Sequence, residues 1–285
     1  MKDRQLSQPF EFLWRLPADG FEWVRAKPVL SDETRKDWFL VEKRVPPLRT
    51  NVYKPLESCT GLFRTFAETS ATREGILQFA NLYGSLGEPW SQGIIQTGEK
   101  TQPVLTGENF MGWKSEILLM HELVLLWDAA RAGDTNTLKR FINWNNGAVF
   151  CEVRTAITEK RKLLAAPGLN PEILARFKPH DVIQPARYAL QKITNEQLVN
   201  HPATPRLLWN KRADLQLFMC PRTLNAALWV QFASAVGSNH SYRMCEACGK
   251  WFQVGPDGDR RADAEFCSNS CRQKKYRQNQ KRGAK

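Results

Sequence analysis

Hydrophobic positions in the first 60 residues come in short runs, FEFLW, FEWV and WFLVE, each cut off by proline or charge. Runs this short predict strands and loops, and Pro46 with Pro47 excludes a helix through RVPPLRTNVYKP. The period changes near Thr72. In ATREGILQFANLYGSLG, Ile76, Leu77, Phe79, Ala80 and Tyr83 fall at helical spacing, with Gly84 as the stop. Residues 84–112 are rich in Gly, Pro, Thr and Gln and read as a long loop. The stretch ILLMHELVLLWDAA predicts a buried amphipathic helix from about Ser115 to Ala132, ending at Gly133. Asp134 then caps a short helix through Leu138, Phe141 and Ile142. Asn146-Gly147 marks a tight turn and AVFCEV, after it, a strand. A further helix starts near Pro185 and runs to Val199. RLLWNKRADLQLFM has the pattern of a β-hairpin, and TLNAALWVQFASAVG that of a last apolar helix ending at Gly237.

This succession predicts an α+β fold. Helices and short antiparallel strands make a mixed N-terminal domain over residues 1–240, with an internal boundary near 84–112. A small module over residues 241–285 follows. With 42% apolar residues and ten tryptophans, the 285-residue chain can build a substantial core, which excludes general disorder. No stretch reaches the ~18 uncharged apolar residues of a membrane helix, and MKDRQLSQPFEFLW lacks the apolar run of a secretory signal. The expectation is a soluble, cytoplasmic protein with no membrane partner.

Charge changes the picture for the last module. The chain carries a net +12, and between Ser241 and Lys285 eleven Lys/Arg face five Asp/Glu, a net of +6. From Arg272 onward there are seven basic residues and no acidic one. A localised field of that kind suits a polyanion, nucleic acid before anionic membrane. The plainer reading is a solvated tail.

Four of the seven cysteines, Cys245, Cys248, Cys267 and Cys271, fall within the same module, spaced C-x2-C-x18-C-x3-C. Cys59, Cys151 and Cys220 are isolated in or beside apolar stretches and read as buried hydrophobes. Two close pairs of thiolates supply the four ligands of tetrahedral zinc and leave no open position, so the site is structural, with one Zn²⁺ per chain. Redox pairs and a different metal are the alternatives, and His240 is a substitute ligand. Gly249 lets the first pair turn tightly, and Ser268 or Ser270 caps a helix with Cys271 in its first turn, where the helix dipole favours a thiolate. Arg243, Lys250, Arg272 and Lys274 offset the negative charge of four thiolates. Trp251, Phe252 and Phe266 are the large apolar residues available for a miniature core, so the metal must carry much of the module's stability. VGPDGDRRADAE reads as a polar turn region.

Taken together, Cys245-x2-Cys248-Gly249, Phe252, Arg260-Arg261, Phe266-Cys267-Ser268 and Cys271-Arg272-x-Lys274 with Tyr276-Arg277 resemble the CGNR-type zinc finger. That finger ends a group of bacterial proteins regarded as transcriptional regulators, and the resemblance implies DNA binding. It covers about 35 residues. The eponymous Cys-Gly-Asn-Arg reads Cys271-Arg272-Gln273-Lys274 here, and the first cysteine pair is spaced more tightly than is common in that group.

In CRQKKYRQNQKR only Tyr276 could serve a core, so this helix has no apolar stripe to bury. Lys274, Lys275, Gln278 and Arg282 share a face, with Tyr276 and Arg277 beside them and Lys281 following. Lys and Arg neutralise phosphates, and Gln278, Asn279 and Gln280 can hydrogen-bond to phosphates or base edges. Arg260, Arg261 and Arg272 join this set. Enzyme signatures are scarce. His121-Glu122 begins like a zinc-protease motif, but the second histidine would fall at Leu125, and no phosphate-binding or nucleotide fingerprint is present. A dispersed acidic site of Glu116, Glu122, Asp128 and Asp134 is the remaining enzymatic reading. The sequence thus predicts a DNA-binding transcriptional regulator, DNA ahead of RNA, with a possible homo-oligomer through residues 1–240. The alternatives are a phage-defence or toxin-type nuclease delivered by its finger, and a protein-interaction scaffold.

Overall fold

The computed structural model describes residues 10–28, 36–43, 49–88, 92–96, 104–155, 159–209, 214–255, 258 and 260–283, with backbone alone for 28, 92–96, 104–105, 159–160 and 281–283. The chain opens with β1 (Trp14–Pro17), β2 (Phe21–Pro28), β3 (Asp37–Glu42) and β4 (Thr50–Tyr53). Next come α1 (Pro55–Ser58), α2 (Leu62–Ala67) and α3 (Arg73–Tyr83), followed by β5 (Gln92–Gln96) and β6 (Val104–Asn109). Two helices, α4 (Phe110–Ala132) and α5 (Thr135–Leu138), lead to β7 (Ile142–Asn145), β8 (Ala148–Arg154) and β9 (Glu159–Ala165). After α6 (Pro171–Leu174) and α7 (Ile183–Asn200) stand β10 (Ala203–Trp209), β11 (Leu215–Pro221) and α8 (Leu224–Gly237). The chain closes with β12 (Ser241–Met244), β13 (Trp251–Val254) and α9 (Asn269–Gly283). The fold is α+β, as the patterning predicts.

The chain divides into two compact units, one of Met1–Arg15, Val52–Thr65 and His201–Lys285, the other of Leu16–Asn51 and Phe66–Asn200. The cysteine module therefore shares a unit with α8 and the β10–β11 hairpin.

In the larger unit β2, β3, β6 and β5 pair into a closed ring. Here the expectation of a long loop over 84–112 fails, because β5 and β6 form a hairpin within it, with Gly93 opposite Gly107. One of the glycines that mimic a loop, Gly107, serves a close approach. A Cβ on Gly107 would lie 2.9 Å from Phe39 Cβ and 2.9 Å from Val41 Cγ1. Asn109 ends β6 and caps α4, accepting from the N–H groups of Met111 and Gly112. The long helix thus begins five residues before the predicted Ser115. It is buried on most sides through Trp113, Ile117, Met120, Leu123, Leu126 and Trp127. Phe79 meets Phe66 and Trp113 of α4 edge to face, at centroid distances of 5.2 and 6.1 Å, and Phe66 is tilted against Trp113 at 6.2 Å.

The predicted α3 forms as read, with Thr72 Oγ1 accepting from Gly75 N and Gly84 at the end. Asp134 caps α5 as predicted, but the helix stops at Leu138 instead of continuing through Phe141 and Ile142. Phe141 O accepts from Glu152 N and Ile142 pairs with Cys151, so the chain here leads into β7 of the β7–β8–β9 sheet. Asn146 and Gly147 turn that hairpin at φ 48° and 75°. Pro46 and Pro47 lie outside the described residues.

In the smaller unit α8 is apolar almost all round and buried from Leu224 to Phe232. Asn225 and Gln231 are its buried polar residues, and Gln231 ties two elements together. The side chain accepts from Phe63 N at 3.0 Å and donates to Cys59 O at 2.8 Å, tying the turn before α2 to the helix. Of the three isolated cysteines only Cys151 is fully buried; Cys59 and Cys220 are half-buried. Burial pushes the Cys151 thiol up to about 12.

Candidate metal centre

The first cysteine pair sits at the open end of a two-stranded hairpin. β12 and β13 pair with Arg243 opposite Phe252 and Met244 opposite Trp251, which delivers Cys245 directly from a strand. Cys245 N donates to Lys250 O at 2.9 Å and Gly249 N to Cys245 O at 2.8 Å, closing the turn. Gly249 has φ of 69°, the left-handed conformation a side chain would resist. The second pair is placed by a helix start. Ser268 Oγ accepts from Cys271 N at 3.1 Å and Ser268 O from Arg272 N at 3.2 Å, so Ser268, of the two serines considered, holds the first turn of α9.

These two devices bring the four sulfurs within 4.8 Å of one another. Cys248 and Cys267 sulfurs are 3.7 Å apart, those of Cys267 and Cys271 3.5 Å. A tetrahedral ion with bonds of ~2.3 Å to sulfur would separate its ligands by ~3.8 Å, so the set has the dimensions of a closed four-thiolate site. The four cysteines are positioned to bind a metal ion.

Electrostatics agree with that use. Burial opposes ionisation of Cys245, but N–H groups of Cys267, Ala247 and Cys248 donate to its sulfur and bring its pKa down to about 6. Burial pushes Cys267 up to about 12, helped by hydrogen bonds with the other three sulfur groups. Four thiols packed this closely cannot all ionise by themselves, and a cation among them removes the conflict.

The apolar support is small. Cys245, Phe252 and Val254 form its buried centre, with Ala247, Ala264 and Phe266 against them. Val254 comes from the stretch that reads as a polar turn. Trp251 points the other way, out of the miniature core, and packs beside Arg64, whose guanidinium lies 5.1 Å from the indole centroid. Neither Arg64 nor the need for Gly61 beneath Trp251 has a signature in the sequence.

The basic residues fall into distinct settings. Arg260 is half-buried and its Nε donates to Cys267 O at 3.2 Å, which braces a ligand. Arg261 is exposed. Arg272, Lys274, Tyr276, Arg277 and Gln278 are exposed along α9, Tyr276 at 64%. Ser270, Gln273, Lys274, Arg277 and Gln278 line one groove of about 430 Å³ on the helix face. Lys275 is half-buried on another side, 3.9 Å from a carboxylate oxygen of Glu246. Lys281 and Arg282 continue the helix, and their side chains lie outside the described residues.

Elsewhere His121 Nδ1 is 3.1 Å from Ala67 O at the end of α2, so the histidine has a structural partner, but one remote in sequence and not on its own helix. Among the described residues the four cysteines are the single group of three or more His, Cys, Asp or Glu whose ligand atoms converge. Glu116, Glu122, Asp128 and Asp134 do not come together as such a group, and Asp134 is the cap of α5. Among the described residues no helix is long and apolar enough to cross a membrane. No family model, no curated protein and no solved structure matches the chain.

Proposed function

We propose that this chain is a zinc-finger protein that binds nucleic acid, DNA before RNA, and acts as a transcriptional regulator. Zinc is the ion best suited to the site, because four thiolates in a closed tetrahedral set of these dimensions select a soft, four-coordinate divalent metal. The ion is structural, since every ligand comes from the chain.

The observation that carries the reading is the setting of α9. Its first turn is pinned at Cys271 by Ser268, and the helix then extends with no acidic residue and one exposed aromatic. Lys274, Arg277 and Gln278 share the groove on one face with Ser270 and Gln273. Two cations beside three neutral polar groups suit a phosphate backbone with base edges next to it. Arg261 and Arg272 add positive field nearby, whereas Arg260 serves Cys267 and Lys275 faces Glu246. The resemblance to CGNR-type fingers favours DNA among polyanions. The remaining residues would then carry regulation or self-association.

The test is direct. Zinc-loaded protein should shift the anisotropy of a labelled duplex DNA at low salt, and unlabelled duplex DNA should compete better than RNA of equal length. Protein that holds zinc and binds neither nucleic acid contradicts the reading.

A further inference from the structure

The β10–β11 hairpin bares one face. Leu207 stands opposite Leu217 and Trp209 opposite Leu215. Because side chains alternate along a strand, all four project from the same side. They are 61%, 47%, 77% and 60% exposed in that order. On the other side Leu208, Phe218 and Cys220 are half-buried while Arg206 and Gln216 are exposed, so among the described residues the four large apolar side chains stand on the less covered face.

With side chains of ordinary size, four such residues expose roughly 500 Å² of apolar surface, the upper range of the largest patch on a typical monomer. That is more than half of the ~800 Å² per partner that a stable protein interface buries. Isolated apolar residues on a surface need no explanation, but two adjacent cross-strand pairs on one face do.

We propose that this face is a self-association surface, on which two copies of the chain pack Leu207, Trp209, Leu215 and Leu217 against the same four residues in a two-fold dimer. A symmetric interface must be complementary to itself, and an uncharged apolar face meets that condition. The net charge of +12 makes the rest of the surface repel a second copy, so contact between copies favours a place without cations. A single-stranded nucleic acid fits less well, since such partners require a basic groove with several aromatic platforms, and this face offers three leucines and one ring. The dimer would set two fingers about a two-fold axis, as a palindromic site requires, but the proposal stands without the nucleic-acid reading.

The experiment is sedimentation of the full, metal-loaded chain without nucleic acid, from about 1 to 100 μM. The expected species has twice the 32.7 kDa chain mass. Its association should strengthen as salt rises, because screening reduces repulsion between like-charged copies, whereas binding to nucleic acid weakens with salt. Replacing Trp209→Thr together with Leu217→Thr preserves strand propensity and removes side chains that lie mostly outside the core. That variant should keep its far-UV spectrum and metal content while its dimer dissociation constant rises at least ~100-fold. Leu215→Ser alone should weaken the dimer in the same direction. A wild-type chain that stays monomeric at 100 μM, or a dimer unaffected by the paired substitution, overturns the proposal. So does a chain that dimerises only after residues 1–9 are deleted, because its own N-terminal segment would then be the occupant of the face.

Discussion

Arg64, on α2, holds its guanidinium 5.1 Å from the ring centroid of Trp251, on the second strand of the cysteine module. The same guanidinium lies 5.4 Å from the Tyr242 ring, and Arg64 is only 6% exposed. A buried cation among aromatic faces contributes up to about 2 kcal/mol beyond packing. Next to it a Cβ on Gly61 would come within 2.5 Å of Trp251 Cβ, so the strand lies directly against the turn before α2. The module is thus docked on its unit through residues remote in sequence. Arg64→Ala should lower stability by roughly 2–4 kcal/mol, combining the lost cation–π contacts with a cavity. Metal content should stay unchanged, because no ligand is touched. Denaturant unfolding and metal analysis on one preparation check both parts.

Metal removal should affect the module more than the rest of the chain. Its buried centre is three side chains, whereas structural zinc contributes on the order of 10 kcal/mol in isolated fingers. Cys248→Ser should abolish stoichiometric zinc and make the segment after Met244 the first site of protease cleavage. The α4 and α8 cores should stay protected. Chelation of the wild-type chain should reproduce that digestion pattern.

Glu108 makes stability depend on pH. It is buried in β6, which raises its pKa to about 7 despite donation by Gly87 N at 2.5 Å, Leu86 N at 3.0 Å and Trp113 Nε1 at 2.7 Å. The folded pKa exceeds the unfolded value near 4.5, so between these pH values the folded state holds a proton that the unfolded state has lost. Stability therefore falls as pH rises from about 4.5 through about 7, by about 3 kcal/mol in all. Glu108→Gln removes this contribution and leaves an amide N–H₂ facing other donors, which costs about 1–3 kcal/mol at low pH. Unfolding at pH 5 and pH 8 should show a smaller loss in the variant than in the wild type, by roughly 2–3 kcal/mol. Equal losses would contradict the assignment.

What could be read in advance follows a physical line. Local signals were legible: the Thr72 and Asp134 caps, the Asn146-Gly147 turn, the apolar α4 and α8, the β10–β11 hairpin and the spacing of the four cysteines. Each depends on residues close together in the chain. The β5–β6 hairpin was not legible, because Gly107 sits in a strand for a reason supplied by Phe39 and Val41, more than 60 residues away. Phe141 and Ile142 matched a helical period and were claimed by the facing strand β8. In the candidate site, the four cysteines could be named from sequence, and the cap of α9 only as Ser268 or Ser270. The inward turn of Arg260 and the pairing of Lys275 with Glu246 could not, since exposure decides which cations remain available and sequence alone does not specify it.

If zinc fixes the root of α9 so that its basic residues meet phosphates, DNA binding must depend steeply on salt. Each phosphate neutralised on a duplex adds about −0.9 to the slope of log affinity against log salt. With Lys274, Arg277 and their neighbours making roughly three to five contacts, α9 should supply about −3 to −4.5 of that slope. Deleting residues 273–285 keeps Cys245, Cys248, Cys267 and Cys271. The truncated chain should hold one zinc and lose that part of the slope. A truncated chain that binds DNA as tightly as the full one, with the same slope, would contradict the account.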